Sequence, residues 1–287
     1  MSPEAAGVRF FKLSGSGNDF IAVEDFGYLT PSRVETLCAR GHSVGADGAF
    51  SITLLADTDP PSVRMSYFNA DGTPARLCVN GARCAGLLAF HLGWARDRLT
   101  IVTGAGTIGA VRTGEFEIAL ELAPPSGRAL EQTVDVDGEE IGGWLVDTGV
   151  PHFVLEWPES LVTAPVAELG AEICHAPRFA AGVNVDFVRF LDAGRLEIRT
   201  FERGVEGETL ACGTGVLAAA AVAVQLGRSG LPLRALTCGG FELRVDGSVT
   251  ADGAIAAWTL AGDARLIAEG VLAAGALTIP DPPLWSD

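Results

Sequence analysis

Residues 207–227 read GETLACGTGVLAAAAVAVQLG, a cysteine set against a Gly-Thr-Gly turn that runs directly into an apolar stretch. A helix is predicted over Gly213 to Leu226, with Gly227 as its C-terminal cap. Cys212 therefore stands at a helix start, where backbone N–H groups have no partner within the helix. Such a place collects anions and lowers the pKa of a thiol. The competing reading is a small residue filling a turn.

Residues 67–93 repeat the pattern. YFNADGTPARLCVNGARCAGLLAFHLG has an aromatic strand end, a polar loop, Cys78, a glycine and an apolar helix over Gly81 to Leu92. The later copy, residues 200–227, reads TFERGVEGETLACGTGVLAAAAVAVQLG, and both helices close on Leu-Gly, at Leu92-Gly93 and Leu226-Gly227. A duplication explains this better than chance. Two thiols at two helix starts, facing each other across an inter-domain cleft, can serve as acid and base on opposite faces of one carbon. The glycine-rich turns would let N–H groups close on a substrate carboxylate and stabilise the charge that spreads onto it.

The 287 residues are 48% hydrophobic with a net charge of −16, which describes a globular chain and excludes a nucleic-acid partner that needs clustered Lys and Arg. The opening MSPEAAGVRFF has neither the basic start nor the apolar run of a signal peptide, and the run Val216 to Leu226 is too short to span a bilayer. A soluble, cytoplasmic protein without a membrane partner is expected. Six cysteines with no Cys-x-x-Cys imply reduced thiols, four of them (Cys38, Cys84, Cys174, Cys238) expected as buried filler. The four histidines show no metal-ligand spacing, so no metal site is expected.

Short alternating strands are predicted in EFEIALEL (115–122), RLEIRTF (195–201) and FELRVD (241–246). Further helices are predicted over Pro31 to Arg40, capped by Thr30, and over Pro165 to Cys174. Strands outnumber helices and hairpin turns such as RTGEF recur, so the class is α+β. The segment Glu121 to Gln132, with two prolines, reads as a linker. TGAGTIGAV places Gly104, Gly106 and Gly109 at dinucleotide-fingerprint spacing, but hairpins follow where that motif needs a helix, so no nucleotide cofactor is expected.

The blocks FFKLSGSGNDFIAVED, YFNADGTPARLCVNGARCAG, TGVPHFV, NVDFV, IRTFERGVEGETLACGTG and LAGDARLIAEG resemble, in order and over nearly the whole chain, the diaminopimelate epimerase family. The resemblance implies two pseudo-symmetric domains, 1–124 with about 268–287, and 125–267, each a mixed sheet around a central helix. It also implies a homodimer and cofactor-independent inversion of LL-2,6-diaminopimelate to the meso form, a step of lysine and peptidoglycan precursor synthesis. Cys78 and Cys212 take the acid and base roles. The backbone at Val79, Asn80 and the Gly213-Thr214 pair hold the α-carboxylate. Asn18, Asn69, Asn184 and Arg203 bind the distal end, while Glu202 and His152 flank the reacting centre and hold the α-ammonium or orient the thiols. The sole lysine, Lys12, falls beside GSGNDF and not where a Schiff base would form.

Five positions depart from the family pattern. Val79 stands where glycine is usual, Val150 replaces an asparagine, Pro74 a glutamate and Gly48 a glutamine, and Glu206 is an insertion. Val79 and Val150 motivate an alternative, a racemase of the same family for another amino acid. Two other readings differ in class: a cysteine hydrolase with Cys212 as nucleophile and His152 as base, or a non-catalytic amino-acid-binding module.

Overall fold

A computed structural model describes residues 7–24, 27–55, 59–251 and 253–278. Contacts divide the chain into one unit of Met1–Thr107 with Ala264–Asp287 and a second of Ile108–Asp263. Residues 1–6 and 279–287, assigned to the first domain on sequence, lie outside the described residues.

In the first unit, β1 (Arg9–Gly15) and β2 (Asn18–Val23) form a hairpin, followed by α1 (Pro31–Cys38). β3 (Gly48–Leu55) runs parallel to β2, and β4 (Ser62–Asn69) runs antiparallel to β3. β5 (Pro74–Ala75) pairs back on β4, α2 (Val79–His91) follows, and β6 (Arg98–Thr103) lies parallel to β4.

The second unit includes β7 (Gly106–Arg112), β8 (Glu117–Leu122) and β9 (Leu130–Val136), and then repeats that plan. β10 (Glu139–Asp147) and β11 (Pro151–Glu156) form a hairpin and α3 (Val166–Cys174) follows. β12 (Asn184–Asp192) is parallel to β11, β13 (Arg195–Glu202) antiparallel to β12, and β14 (Gly207–Thr209) pairs back on β13. Then come α4 (Gly213–Gln225) and β15 (Leu233–Thr237), parallel to β13. β16 (Glu242–Val249) and β17 (Ile255–Asp263) extend the sheet to β8; β18 (Arg265–Val271) belongs to the first unit, where it pairs with β1. The two copies thus share the order and direction of every pairing from the hairpin to the strand after the second helix. The class is α+β with mixed sheets.

The contact-based boundary lies one hairpin before the Glu121–Gln132 segment because β8 is held between β7 and β17. The ends of that segment belong to β8 and β9, and only its residues 123–129 form a loop, inside the second unit. Trp258 Nε1 donates to Ala123 O at 2.7 Å, and the Gln225 amide both donates to and accepts from the Ala129 backbone. After Thr103 the chain continues as the strand β7, as the reading of TGAGTIGAV required.

Each 13-residue central helix is buried because strands surround it. α2 contacts β1, β2, β4, β6 and β18, and every residue from Val79 to Phe90 is buried. α4 contacts β10 to β13, β16 and β17, which leaves room for little beyond alanine on its faces. Both helices end alike: Gly93 and Gly227 adopt φ +73° and +64°, where glycine avoids the Cβ clash of the left-handed region. Trp94 N–H then donates to Ala89 O and Arg228 N–H to Ala223 O, taking up terminal carbonyls. Thr30 caps α1 and Pro31 occupies its first turn, as expected. No helix among the described residues is long and apolar enough to cross a membrane.

Candidate active site

Cys78 and Cys212 occupy the same local position, the N-cap of the central helix of their unit. Their backbones are extended, at φ −122°, ψ 117° and φ −108°, ψ 110°. The extended cap turns the side chain back over the first helical turn. Cys78 Sγ accepts from Gly81 N–H at 3.4 Å, and Cys212 Sγ lies 3.4 Å from Thr214 Oγ1. Cys78 is partly exposed and Cys212 is buried.

Around Cys78 the first unit assembles Asn18, Val79 and Asn80. Arg83, fully buried on α2, donates from Nη2 to Asn80 Oδ1 at 2.6 Å and to Ser16 Oγ at 2.9 Å. Asn80 Nδ2 donates to Asn18 Oδ1 at 2.5 Å, and Asn18 Nδ2 to Asp47 Oδ2 at 3.3 Å. The amides thereby tie the β1–β2 turn, with Ser16 at φ +51°, to the helix start. Against burial, which raises its pKa, hydrogen bonds from Arg40 and Lys12 hold Asp19 at about 2. Asn69 is not drawn into this cluster. It is exposed at the end of β4, and its Nδ2 donates to Thr73 Oγ1 at 3.1 Å.

Around Cys212 the second unit assembles His152, Asn184, Glu202, Arg203, Gly213 and Thr214. His152 is wholly buried on β11. Its Nδ1 lies 2.7 Å from Asp186 Oδ2, and Asp186 Oδ1 accepts from Thr200 Oγ1 at 2.8 Å. Asn184 Oδ1 accepts from Arg203 N–H at 3.0 Å, while its Nδ2 donates to Pro151 O at 3.2 Å and lies 3.5 Å from His152 Nε2. Glu202 accepts from Thr209 Oγ1. Arg203 Nη1 donates to Ala181 O and Gly182 O at 2.9 and 3.1 Å. Glu202 and Arg203 thus turn to different partners. Thr148 Oγ1 donates to Thr214 O at 3.4 Å.

The expected lowering of the thiol pKa fails at Cys212. Burial raises it well above the ordinary thiol value, and the carboxylates of Glu202 and Asp186 add to the rise, outweighing the hydrogen bonds from Thr214 and Gly215. Burial also raises the pKa of Glu202, against the hydrogen bond from Thr209. Of the four thiols expected as filler, Cys38, Cys84 and Cys174 are buried, but Cys238 is exposed, with Sγ 3.1 Å from Thr209 O. Sequence reasoning passed over Asp186, Thr200, Thr209, Ser16 and Arg83. Among the described residues one group, Cys174, His175 and Glu206, places three metal-type ligand atoms within 4.8 Å, and its two exposed members are already paired at 2.6 Å.

The family description "Diaminopimelate epimerase" matches residues 10–121 and 144–254. The diaminopimelate epimerase of Aquifex aeolicus is 38% identical over 255 residues, 83% of this chain and 90% of that protein. That of Archaeoglobus fulgidus is 35% identical over 267 residues, covering 86% and 93%. In fold the chain is similar to a probable proline racemase from Agrobacterium radiobacter solved with bound carbonate (TM-score 0.71, 15% identity, 93% of each chain). It is also similar to a hydroxyproline epimerase from Agrobacterium vitis with bound trans-4-hydroxy-L-proline (TM-score 0.66, 17% identity, 98% and 97%).

Proposed function

The chain belongs to the diaminopimelate epimerase family and is an isomerase, and from that premise we propose that Cys78 and Cys212 are the acid and base that invert one α-carbon of LL-2,6-diaminopimelate to the meso isomer. The observation that carries this reading is the same helix-capping cysteine in both copies of one strand and helix plan. One thiolate takes the α-proton and becomes a thiol, while the other thiol gives its proton to the opposite face and becomes a thiolate. Charge and protons balance within the pair, so the cycle needs no cofactor.

The α-carboxylate would lie against the N–H groups of Val79 and Asn80 or of Gly213 and Thr214, where the charge of the planar intermediate spreads. An α-ammonium entering beside Glu202 and Asp186 would offset the carboxylates that hold the Cys212 proton on, and so bring that thiol into working range. Arg203, with Asn18, Asn69 and Asn184, would take the distal head group, the guanidinium pairing its carboxylate. We place the enzyme in the cytoplasm as a homodimer. Support for self-association is the exposure of Ile267 and Val271 on β18.

The test is incubation with LL-diaminopimelate in deuterated water. Deuterium should enter the α-position as the meso isomer accumulates, and activity should survive dialysis against a chelator. Failure of the α-position to exchange would end the epimerase reading.

A further inference from the structure

The two copies of the repeated plan differ at one buried spot. Asp186 on β12 pairs with Thr200 on β13, as Phe50 on β3 pairs with Tyr67 on β4. His152 on β11 is in register with Asn184, as Phe20 on β2 is with Gly48. The equivalent positions are therefore Phe20, Phe50 and Tyr67 in the first unit and His152, Asp186 and Thr200 in the second. The first set packs as an aromatic cluster, with Phe20 ring centroids 6.3 Å from Phe50 and 6.1 Å from Tyr67. The second is a hydrogen-bonded polar triad in which His152 and Asp186 are wholly buried. The fold accepts aromatic packing at this spot, so a buried carboxylate that costs desolvation energy is not there to fill space.

Hydrogen bonding around the triad sets which ring nitrogen carries the proton of the neutral imidazole. Arg203 N–H donates to Asn184 Oδ1 and so orients that amide, leaving Nδ2 on the side of Pro151 O and His152 Nε2. An amide donor thus faces Nε2, while an acceptor, Asp186 Oδ2, stands at Nδ1. Both neighbours demand the same tautomer, with the proton on Nδ1 and a lone pair on Nε2. Thr200 Oγ1 holds the other carboxylate oxygen.

We infer that Asp186 is a positioning residue, which with the Arg203 backbone holds His152 as the Nδ1–H tautomer, so that Nε2 can only accept a hydrogen bond. The inference rests on the epimerase reading for its place in catalysis, and it limits His152 to accepting, from an ammonium or from a thiol. A bare Nε2 accepts from an ammonium and cannot donate to a carboxylate or a thiolate.

The tautomer is read without turnover. In the full chain labelled with ¹⁵N-histidine, a two-bond ¹H–¹⁵N correlation spectrum distinguishes protonated from bare ring nitrogens, and loss of one pattern in His152→Gln assigns His152. The wild-type protein should show Nδ1 protonated and Nε2 bare. Asp186→Leu, which removes the acceptor but keeps the volume, should move the ring toward the Nε2–H form. Asp186→Asn keeps the shape and loses the charge. It should move the Nδ1 proton upfield and lower kcat/KM by about 10²-fold, the cost typical of a misplaced group. An Nε2–H ring in the wild-type protein would overturn the inference. So would a folded Asp186→Leu variant with an unchanged tautomer, or an Asp186→Asn variant with unchanged Nδ1–H shift and unchanged kcat/KM. Absence of α-deuterium exchange by the wild-type enzyme would instead sink the epimerase reading and leave the tautomer result standing.

Discussion

Gly215 lies directly on the Asp186 carboxylate: a Cβ at position 215 would overlap Oδ1 and stand 3.1 Å from Asp186 Cγ and from Thr200 Oγ1. Its counterpart three residues after the other cysteine, Gly81, would place a Cβ 3.3 Å from the flexible end of Met65 and 3.5 Å from Cys78 Cβ. Both glycines are in the first turn of a helix, where alanine is intrinsically preferred by about 1 kcal/mol. Gly81→Ala should therefore leave the urea midpoint within about 1 kcal/mol of wild type, since methionine yields. Gly215→Ala must displace a hydrogen-bonded buried carboxylate and should cost roughly 1–3 kcal/mol more. Equal midpoints for the two variants would contradict this asymmetry.

Replacing either thiol should stop inversion. Cys78→Ala and Cys212→Ala should each lower epimerisation by about 10²–10⁴-fold, the usual contribution of a positioned acid or base. Circular dichroism should remain that of the wild type, because Cys212 makes no side-chain cap bond and Cys78 gives its helix a single one, accepted at Sγ from Gly81 N–H at 3.4 Å. A variant that retained near-normal turnover would remove its thiol from the mechanism.

The raised pKa of Cys212 makes stability fall on the alkaline side. Above the ordinary thiol pKa the unfolded chain loses this proton while the folded chain keeps it. The folded state then binds more protons, and unfolding free energy decreases with rising pH. The contribution is complete below the unfolded pKa and is lost as pH rises toward the folded one, with a slope of at most about 1.4 kcal/mol per pH unit from this group. Denaturant midpoints measured from pH 7 to 10 should decline less steeply in Cys212→Ala than in wild type. For the same reason, iodoacetamide should label Cys212 in the ligand-free protein at pH 7 more slowly than a free cysteine.

Much of this fold is written locally. The caps at Thr30, Gly93 and Gly227, the hairpin after Thr103 and the two cysteine motifs each depend on a few adjacent residues, and each is found where local chemistry puts it. Asp186 was not legible. Its strand, NVDFVRFLD, is buried on both faces through its first five residues, so no alternation marks the aspartate as inward, and its partners lie 34 and 14 residues away. The pKa of Cys212 escaped for the same reason: the helix start is local, but the carboxylates that override it arrive from β12 and β13. Arg83 stands one helical turn after Asn80 on α2, but only the fold brings Ser16, 67 residues away, to its guanidinium.

If Arg203 takes the distal head group as proposed, substrate choice turns on it. Its Nη1 holds the carbonyls of Ala181 and Gly182, and its Cδ stands where a Cβ on Gly182 would come within 2.7 Å, at a residue with φ +72°. The guanidinium is thus preset by the 181–182 turn, and its backbone N–H is preset by Asn184. A second amino-acid head group would pair with it, whereas a one-headed amino acid would leave a polar group without its ligand, at about 1–3 kcal/mol. Arg203→Met should then cut turnover of diaminopimelate steeply, with loss of about 1–2 kcal/mol in folding from the two carbonyl bonds. Arg203→Lys keeps the charge but not the fork, so it should rescue folding better than turnover. A panel of amino acids assayed by loss of α-deuterium gives the decisive comparison. Diaminopimelate should exchange fastest in the wild-type enzyme, and its lead over one-headed amino acids should shrink in Arg203→Met. If proline, histidine or glutamate led the wild-type panel, the distal pocket would belong to another substrate while the two-thiol chemistry stood.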